Sequence, residues 1–451
     1  MTNVVFVMTD NQGAWSLGCY GNPDIRTPNI DGIAADGMRF KDAYCVNSVC
    51  SPSRATFFTG LLPSQHGVHC YLGGEKPDAQ VGPKAYNTIR EFTNLPQVMV
   101  DAGYRCGLAG KWHLGDSLNP VDGFDYWFTK PKGHTSTFFG DDAIWQGKIY
   151  QESGYFTDKI TEHALNFIRQ NKEDPFFLFV GYNGPYGLGW HMVETHRNRH
   201  TEYYSDKELP SFPREPVHPW LRVNLDIINN PVSIRGYAAA ASGVDDGVGE
   251  ILDELHRLGL DENTLVIFTA DQGLCGGHHG MWGMGDHSWP LHTFEEALHI
   301  PLILRHKGQI PPGSIFDGRT CNYDFLPSLL DYLGLGDRLA DRSQLPGNSY
   351  ASALLGGPVG NYDQIFHEFE NARLVRNNRW KYTWRHPDGP DELYDMVADP
   401  GERQNAAGDE RLAGVIQDLR KEINSFFGRY ADPEFDLWRG GRSKAGTMSR
   451  Q

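Results

Sequence analysis

Two acids stand where two distant apolar runs end. Residues 4–9 run into Asp10-Asn11-Gln12-Gly13, and residues 265–270 run into Asp271-Gln272-Gly273. Buried strands of α/β sheets deliver their chemistry at their carboxyl ends. Paired carboxylates with amide neighbours are what a hard cation needs from a protein. Lys111 and His113, spaced i and i+2, share one face of an extended segment. Seven cysteines (Cys19, Cys45, Cys50, Cys70, Cys106, Cys275 and Cys321) are odd in number, scattered and without a CxxC pair. They form no disulfide framework of the secreted kind, which leaves room for one with a chemical role. Cys50 stands out, in Cys50-Ser51-Pro52-Ser53-Arg54-Ala55-Thr56, with Phe57-Phe58-Thr59-Gly60 after it.

The elements that must hold these residues can be read from the rest of the chain. Its 451 residues suit one large α/β domain with a smaller companion. A hydrophobic share of 39% supports a real core, and 51 glycines and 27 prolines imply many ordered loops. The net charge of −16 repels nucleic acid and anionic lipid, so neither is an expected partner. An anionic small substrate would then need a local cationic pocket. No run of 18 apolar residues argues for a membrane span, and the first ten residues lack the basic and apolar regions of a signal peptide. The expected location is cytoplasmic, or periplasmic or secreted if a leader was trimmed.

Short apolar runs at 4–8, 105–109, 175–180, 265–270 and 300–304 read as buried parallel strands. Amphipathic patterns around Ala164, Leu165, Phe167 and Ile168, and over 243–258, read as helices between them. The fold class is therefore α/β, a large, mostly parallel sheet with helices on both faces. Residues 186–233, rich in Pro, His, Arg and Tyr, read as a surface insertion and pocket wall. Composition shifts near Leu345-Pro346-Gly347-Asn348. The expected organisation is a catalytic domain over 1–350, a C-terminal α+β subdomain with an antiparallel sheet over 351–440, and a loose polar tail over 441–451. Strands around Leu374-Val375-Arg376 and 380–384, and a closing helix carrying Leu412, Val415, Ile416, Leu419, Ile423 and Phe426, belong to that subdomain.

The Cys50–Gly60 segment resembles the signature of the type I, formylglycine-dependent sulfatases of the alkaline-phosphatase-like superfamily. In that signature a cysteine two residues before proline and four before arginine is oxidised to an aldehyde; Leu61 stands where an arginine often follows. Gly110-Lys111-Trp112-His113-Leu114-Gly115 is similar to the family's Lys/His motif. Glu295-Glu296-Ala297 with Ile300-Pro301-Leu302-Ile303, and Glu392-Leu393-Tyr394-Asp395 with Asp399-Pro400 and Asn405, match later landmarks in order.

The resemblance implies a sulfuric ester hydrolase, arylsulfatase-like, acting on a small organosulfate and matured by a formylglycine-generating enzyme. An aldehyde hydrate offers two hydroxyls on one carbon: one displaces the alcohol from sulfur, and deprotonating the other expels sulfate and restores the aldehyde. The implied catalytic residues are Cys50, Arg54, Lys111 and His113. One divalent cation is implied, calcium first, magnesium or manganese as alternatives, held by Asp10, Asn11, Asp271, Gln272 and the converted Cys50. Asn11 replaces a usual aspartate and removes one negative charge, which should weaken the ion.

Two departures stand out. Tyr186 follows Tyr182-Asn183-Gly184-Pro185 where the family carries a histidine, and Met284 lies in Gly283-Met284-Gly285 where it carries a lysine. Those positions normally protonate the leaving group and bind sulfate. Tyr186 and a nearby histidine, among His191, His278, His279 and His287, are the expected substitutes; a phenol or sulfamate leaving group would also need less acid help. A phosphodiesterase or phosphonate monoester hydrolase on the same scaffold is the alternative activity, and an anion-binding relative without turnover is the third reading. The spacing of Cys275, His278, His279, His287 and His292 matches no standard zinc pattern. Trp190, Trp282 and Trp289 suit either ring stacking or core packing. Oligomeric state stays open.

Overall fold

A computed structural model describes residues 1–73, 79–339, 341–360 and 362–448. Its strands in chain order are β1 (Asn3–Asp10), β2 (Met38–Tyr44), β3 (Arg105–Gly110), β4 (Tyr126–Thr129), β5 (Phe139–Trp145), β6 (Lys148–Tyr155), β7 (Phe176–Pro185), β8 (Thr264–Ala270), β9 (Cys275–Gly276), β10 (Trp282–Gly283), β11 (Leu302–Arg305), β12 (Ser314–Cys321), β13 (Ile365–Phe369), β14 (Ala372–Arg376), β15 (Trp380–Arg385) and β16 (Glu392–Asp395). Ten of them form one sheet in the order β12-β2-β11-β8-β1-β7-β3-β4-β5-β6.

The middle of that sheet, β8-β1-β7-β3-β4, is parallel, while β11, β5 and β6 pair antiparallel. The sheet is thus mixed. The 300–304 run, expected as a parallel strand, runs against β8 because the segment between them returns without a crossover helix, and only a crossover can make sequential strands parallel.

β1 is buried along its whole length, and its side chains alternate between two cores. Val4, Phe6 and Met8 face the core that contains Phe57, Phe58 and the C-terminal Ile423. Val5 and Val7 face the core built by the helices Phe156–Gln170 and Pro231–Arg257. The second of these helices starts twelve residues before the expected 243, capped by the Asn230 side chain, which accepts from Val232 N–H, with Pro231 in its first turn.

The C-terminal subdomain is the antiparallel sheet β13-β14-β15-β16. The helix Ala413–Tyr430 joins it, burying Leu419, Ile423 and Phe427. The tail departs from expectation. Lys444 is buried, its Nζ donating to Thr88 O at 2.9 Å, Ala445 is fully buried, and Met448 N–H donates to Glu370 Oε1 at 2.6 Å. Backbone groups already satisfied in this way hold the segment down, whatever its composition; residues 449–451 lie outside the described part. Among the described residues no helix is long and apolar enough to cross a membrane.

Candidate active site

Three backbone devices bring the site together. The first is the helix Cys50–Thr59, which begins at Cys50 itself and ends where Gly60 N–H donates to Thr56 O, with Gly60 in the left-handed region at φ +71°. Phe57 and Phe58 pack on Phe6 of β1, with ring centroids 6.0 and 6.3 Å apart, and so fix the helix against the strand that carries Asp10. Cys50 and Arg54, one turn apart, share a face. The positive end of the helix dipole lies at Cys50, favourable to an anion there.

The second device is the end of β3. Gly110 has φ +111°, and a Cβ there would lie 2.0 Å from Gly181 O; without one, β3 and β7 approach closely and Lys111 N–H donates to Gly181 O at 2.7 Å. The third is the end of β1, where Asn11 takes φ +57°. Tyr186 at φ +53° and His113 at φ +61° are likewise left-handed. Non-glycine residues held there cost energy, and such strain gathers at functional sites.

The side chains converge as follows. Cys50 Sγ lies 3.4 Å from Asp10 Oδ1 and 3.2 Å from Gln272 Nε2. Ligand atoms of Asp10, Cys50 and Asp271 all fall within 4.8 Å of one another, and all three residues are buried. Lys111 Nζ donates to Asp10 Oδ2 at 2.5 Å. Arg54 Nε donates to Asp271 Oδ2 at 2.9 Å and Nη1 to Lys111 O at 2.7 Å, which leaves Nη2 buried without a partner. Ser53 Oγ donates to Asp271 O, and Asn11 N–H donates to Asp271 Oδ1 at 3.3 Å.

A divalent cation fits this donor set. Gln272 Oε1 is buried with no hydrogen-bond partner, while Nε2 of the same amide meets Asn11 Oδ1 and, at 3.4 Å, Asp10 Oδ1. The two ends of an amide exchange by a half-turn. That turn would set Gln272 Oε1 beside Asn11 Oδ1 and Asp10 Oδ1, with an Asp271 carboxylate oxygen within 4.8 Å of the Asp10 one, an arrangement only a cation makes favourable. Burial, and after it the Asp10 carboxylate, raises Asp271 to about 6, the signature of two acids sharing a site.

Burial, and then Asp10, pushes the Cys50 thiol well above its ordinary range. A thiol held neutral is a poor nucleophile. Burial works against the Lys111 ammonium, yet Asp10, with Cys50 and Asp271 behind it, outweighs this and raises its pKa. His113 goes the other way: burial, then Lys111, holds it well below the usual histidine range. Leu72 O can only accept, so the 2.9 Å contact from His113 Nε2 places the proton on Nε2 and leaves the buried Nδ1 as a free acceptor.

A cavity of about 420 Å³ opens above this cluster, reaching Cys50, His113, Tyr186, Met284 and His287. Tyr186 lies under it with its ring 5.6 Å from Lys111 Nζ and its hydroxyl 2.7 Å from His134 Nδ1. His287 faces it too, its Nδ1 receiving Asn224 Nδ2 at 3.0 Å. Two of the expected substrate contacts lie elsewhere. His191 is exposed on the short helix Trp190–Thr195. His279 stacks on Phe294 at 3.9 Å and meets Glu296 Oε2 at 3.0 Å in a different cavity, beside Glu402. There Lys381 Nζ lies 2.6 Å from Glu402 Oε1 and 3.0 Å from Glu295 Oε1, so an internal ammonium already balances those acids. His278 lies against the Trp15 ring, outside the cavity lining. Cys275, His278, His279, His287 and His292 do not gather as ligands: among the described residues, the only groups of three or more His, Cys, Asp or Glu ligands are Asp10–Cys50–Asp271 and His279–Glu296–Glu402. Trp282 is fully buried core, with Nε1 donating to Gly187 O, whereas Trp289 is exposed.

Sequence reading missed His134, Lys132, Gln80 and Met448, all on the cavity lining. They sit on loops and on the tail, where no periodicity or spacing marks them.

Residues 2–335 match the family model for sulfatases, and residues 280–427 match the model described as N-sulphoglucosamine sulphohydrolase, C-terminal. An N-acetylglucosamine-6-O-sulfatase of Bacteroides thetaiotaomicron is 26% identical, over 96% of this chain and 88% of that protein. A solved structure reported with the metabolism of multiple glycosaminoglycans by Bacteroides thetaiotaomicron superposes with a TM-score of 0.81 at 22% identity, covering 96% and 97% of the two chains. A phosphonate monoester hydrolase of Agrobacterium radiobacter superposes at 0.69 and 20%, covering 96% and 97%. At those identities the two structures speak for the fold alone. The family model covers most of the chain, from the strand carrying Asp10 past the one carrying Asp271, and on that ground the chain belongs to the sulfatase family, enzymes that hydrolyse sulfuric esters.

Proposed function

We propose that this sulfatase releases inorganic sulfate from a small organosulfate, with the hydrate of a formylglycine made from Cys50 as nucleophile and one divalent cation at Asp10, Asn11, Asp271 and Gln272. The observation that carries the reading is the convergence of Asp10, Cys50 and Asp271 within 4.8 Å, with the cations Lys111 and Arg54 bonded to the two acids.

The sulfur of Cys50 marks where the hydrate oxygens would stand. The hydrate would supply a hydroxyl nucleophile and, through its second hydroxyl, a route to release sulfate. The cation would polarise a sulfate oxygen and favour ionisation of the hydrate. This chain's own groups do the rest. Lys111 and the open Nη2 of Arg54 give the sulfate a cationic seat inside an acidic protein, which answers the charge problem posed by the sequence. His113 Nδ1, a neutral acceptor, is suited to take the hydroxyl proton. On the leaving-group side, Tyr186 is kept as a neutral phenol by burial and Asp10, and its bond to His134 connects it to the cavity. His287 faces the same space.

Maturation by a formylglycine-generating enzyme is part of the proposal. The test is hydrolysis of 4-nitrophenyl sulfate, of N-acetylglucosamine 6-sulfate, which the Bacteroides relative's name suggests, and of a 4-nitrophenyl phosphonate monoester, read as sulfate released from the first two and as 4-nitrophenol released from the third. Turnover of the phosphonate orders of magnitude above both sulfates would replace the sulfate reading with the alternative activity.

A further inference from the structure

The cavity above Cys50 is lined by apolar side chains drawn from four parts of the chain. Tyr71 and Leu72 come from the segment after the Cys50 helix, Leu188 and Val223 from the 186–233 insertion, Met284 from the loop after β10, and Met448 from the C-terminal tail. Most of the surface that faces into it is carbon. Val223 is 44% exposed, with an apolar side chain turned toward this space rather than into a core. Met448 is pinned by its N–H bond to Glu370 and by Lys444, whose N–H donates to Gly67 O at 2.7 Å. Two methionines on the lining, Met284 and Met448, give an adaptable apolar surface.

The polar groups on the lining are largely engaged already. Gln80 Oε1 accepts from Gly133 N–H at 2.8 Å and Gln80 Nε2 donates to Leu72 O at 3.1 Å. Tyr186 Oη is bonded to His134, His287 Nδ1 to Asn224, and His113 Nε2 to Leu72 O. The charged lining residues Lys132 and Asp286 are of opposite sign and select no net charge. A polyhydroxylated sugar entering here would lose water from its hydroxyls and find few partners in return. An apolar alcohol would lose nothing and gain buried area.

We infer that the slot takes an uncharged, apolar leaving alcohol, an alkylated phenol or a fused-ring alcohol, and that Met448 and Val223 are specificity-determining walls. This rests on the sulfatase reading above. Where the leaving group is a phenol, the site also has less need of a strong leaving-group acid, since a phenolate leaves readily.

The experiment is kcat/KM for sulfate release from 4-methyl-, 4-ethyl-, 4-propyl- and 4-butylphenyl sulfate, whose leaving groups are alike in acidity, with N-acetylglucosamine 6-sulfate and 4-nitrophenyl sulfate alongside. The protein is the full chain with aldehyde at position 50 and divalent cation added. Burial of each methylene should raise kcat/KM about two- to fourfold. Met448→Ser and Val223→Ser, both at partly exposed positions, should each flatten the series while melting like the wild type. A flat or falling series in the wild type, a series unchanged in both variants, or a sugar sulfate turned over faster than the butylphenyl ester would each overturn the inference and leave the sulfatase reading intact. No sulfate from any of these esters would overturn that reading instead.

Discussion

Cys50 Sγ lies 3.4 Å from Asp10 Oδ1, a contact between the first turn of a buried helix and the end of the central strand. Lys111, which arrives from the neighbourhood of a third element, closes the other side of the same carboxylate at 2.5 Å. That junction places a nucleophile position, an acid and a cation together in a buried cluster at the floor of the cavity, and the predictions follow from it.

Metal and pH are linked through Asp271. Its carboxyl, ordinarily near 3.8, is raised to about 6 in the folded protein. Between those values the folded state binds a proton that the unfolded chain has released, so this group makes the metal-free protein less stable as pH rises from about 4 past 6. A divalent cation needs the deprotonated pair. Calcium should therefore raise Tm more at pH 7 than at pH 5, approaching about 2.7 kcal/mol of stabilisation at a hundredfold excess over Kd. Asp10→Asn should remove most of that gain. Equal calcium shifts in wild type and variant, followed by differential scanning calorimetry, would contradict the assignment.

Arg54 is the only side-chain cation bonded to Asp271 among the described residues, and both are fully buried. Arg54→Ala leaves an unpaired buried carboxylate and should cost on the order of 3–5 kcal/mol in urea unfolding. Arg54→Lys keeps the charge but not the fork that also reaches Lys111 O. It should recover part of the stability while kcat stays low. A lysine variant with wild-type turnover would mean that the guanidinium geometry is irrelevant to the reaction.

His113 should set the acid limb of the rate profile. Burial and Lys111 keep it neutral to well below the ordinary value of 6.5, so its acceptor Nδ1 is lost only when pH falls through that lower value. Wild-type kcat should hold down to below pH 6.5 before it declines. In His113→Gln, kcat should drop about 10²–10⁴-fold and the limb should vanish. An unchanged limb in the variant would assign the proton acceptor to another group.

Much of this was legible in the sequence because the site hangs on strand ends and on one contiguous segment. The apolar runs located β1, β3, β7 and β8, and the acids follow two of these directly. The Cys50 segment was marked by its resemblance to a known signature, and the helix Cys50–Thr59, which was not read from the sequence, puts Cys50 and Arg54 on one face. Pairing direction was not legible: 300–304 has the composition of a buried strand whichever way it runs. Of the histidines facing the cavity, His113 and His287 were named from the sequence, and His134 was hidden. His134 reaches Tyr186 across 52 positions, through loops that carry no period, while His191 and His279, nearer by sequence to the altered positions, face other surroundings. The tail was misread for a similar reason, since its few anchoring bonds, such as Lys444 to Thr88, depend on tertiary position rather than on composition.

The most direct measurement relates turnover to the chemical state of residue 50. Preparations with different extents of conversion are digested, and the Cys50 peptide is quantified against its aldehyde form, about 18 Da lighter, or the hydrate. Sulfate release per molecule should then rise in proportion to the converted fraction and extrapolate to zero at none. Full turnover in a preparation whose position 50 is entirely thiol would contradict the account.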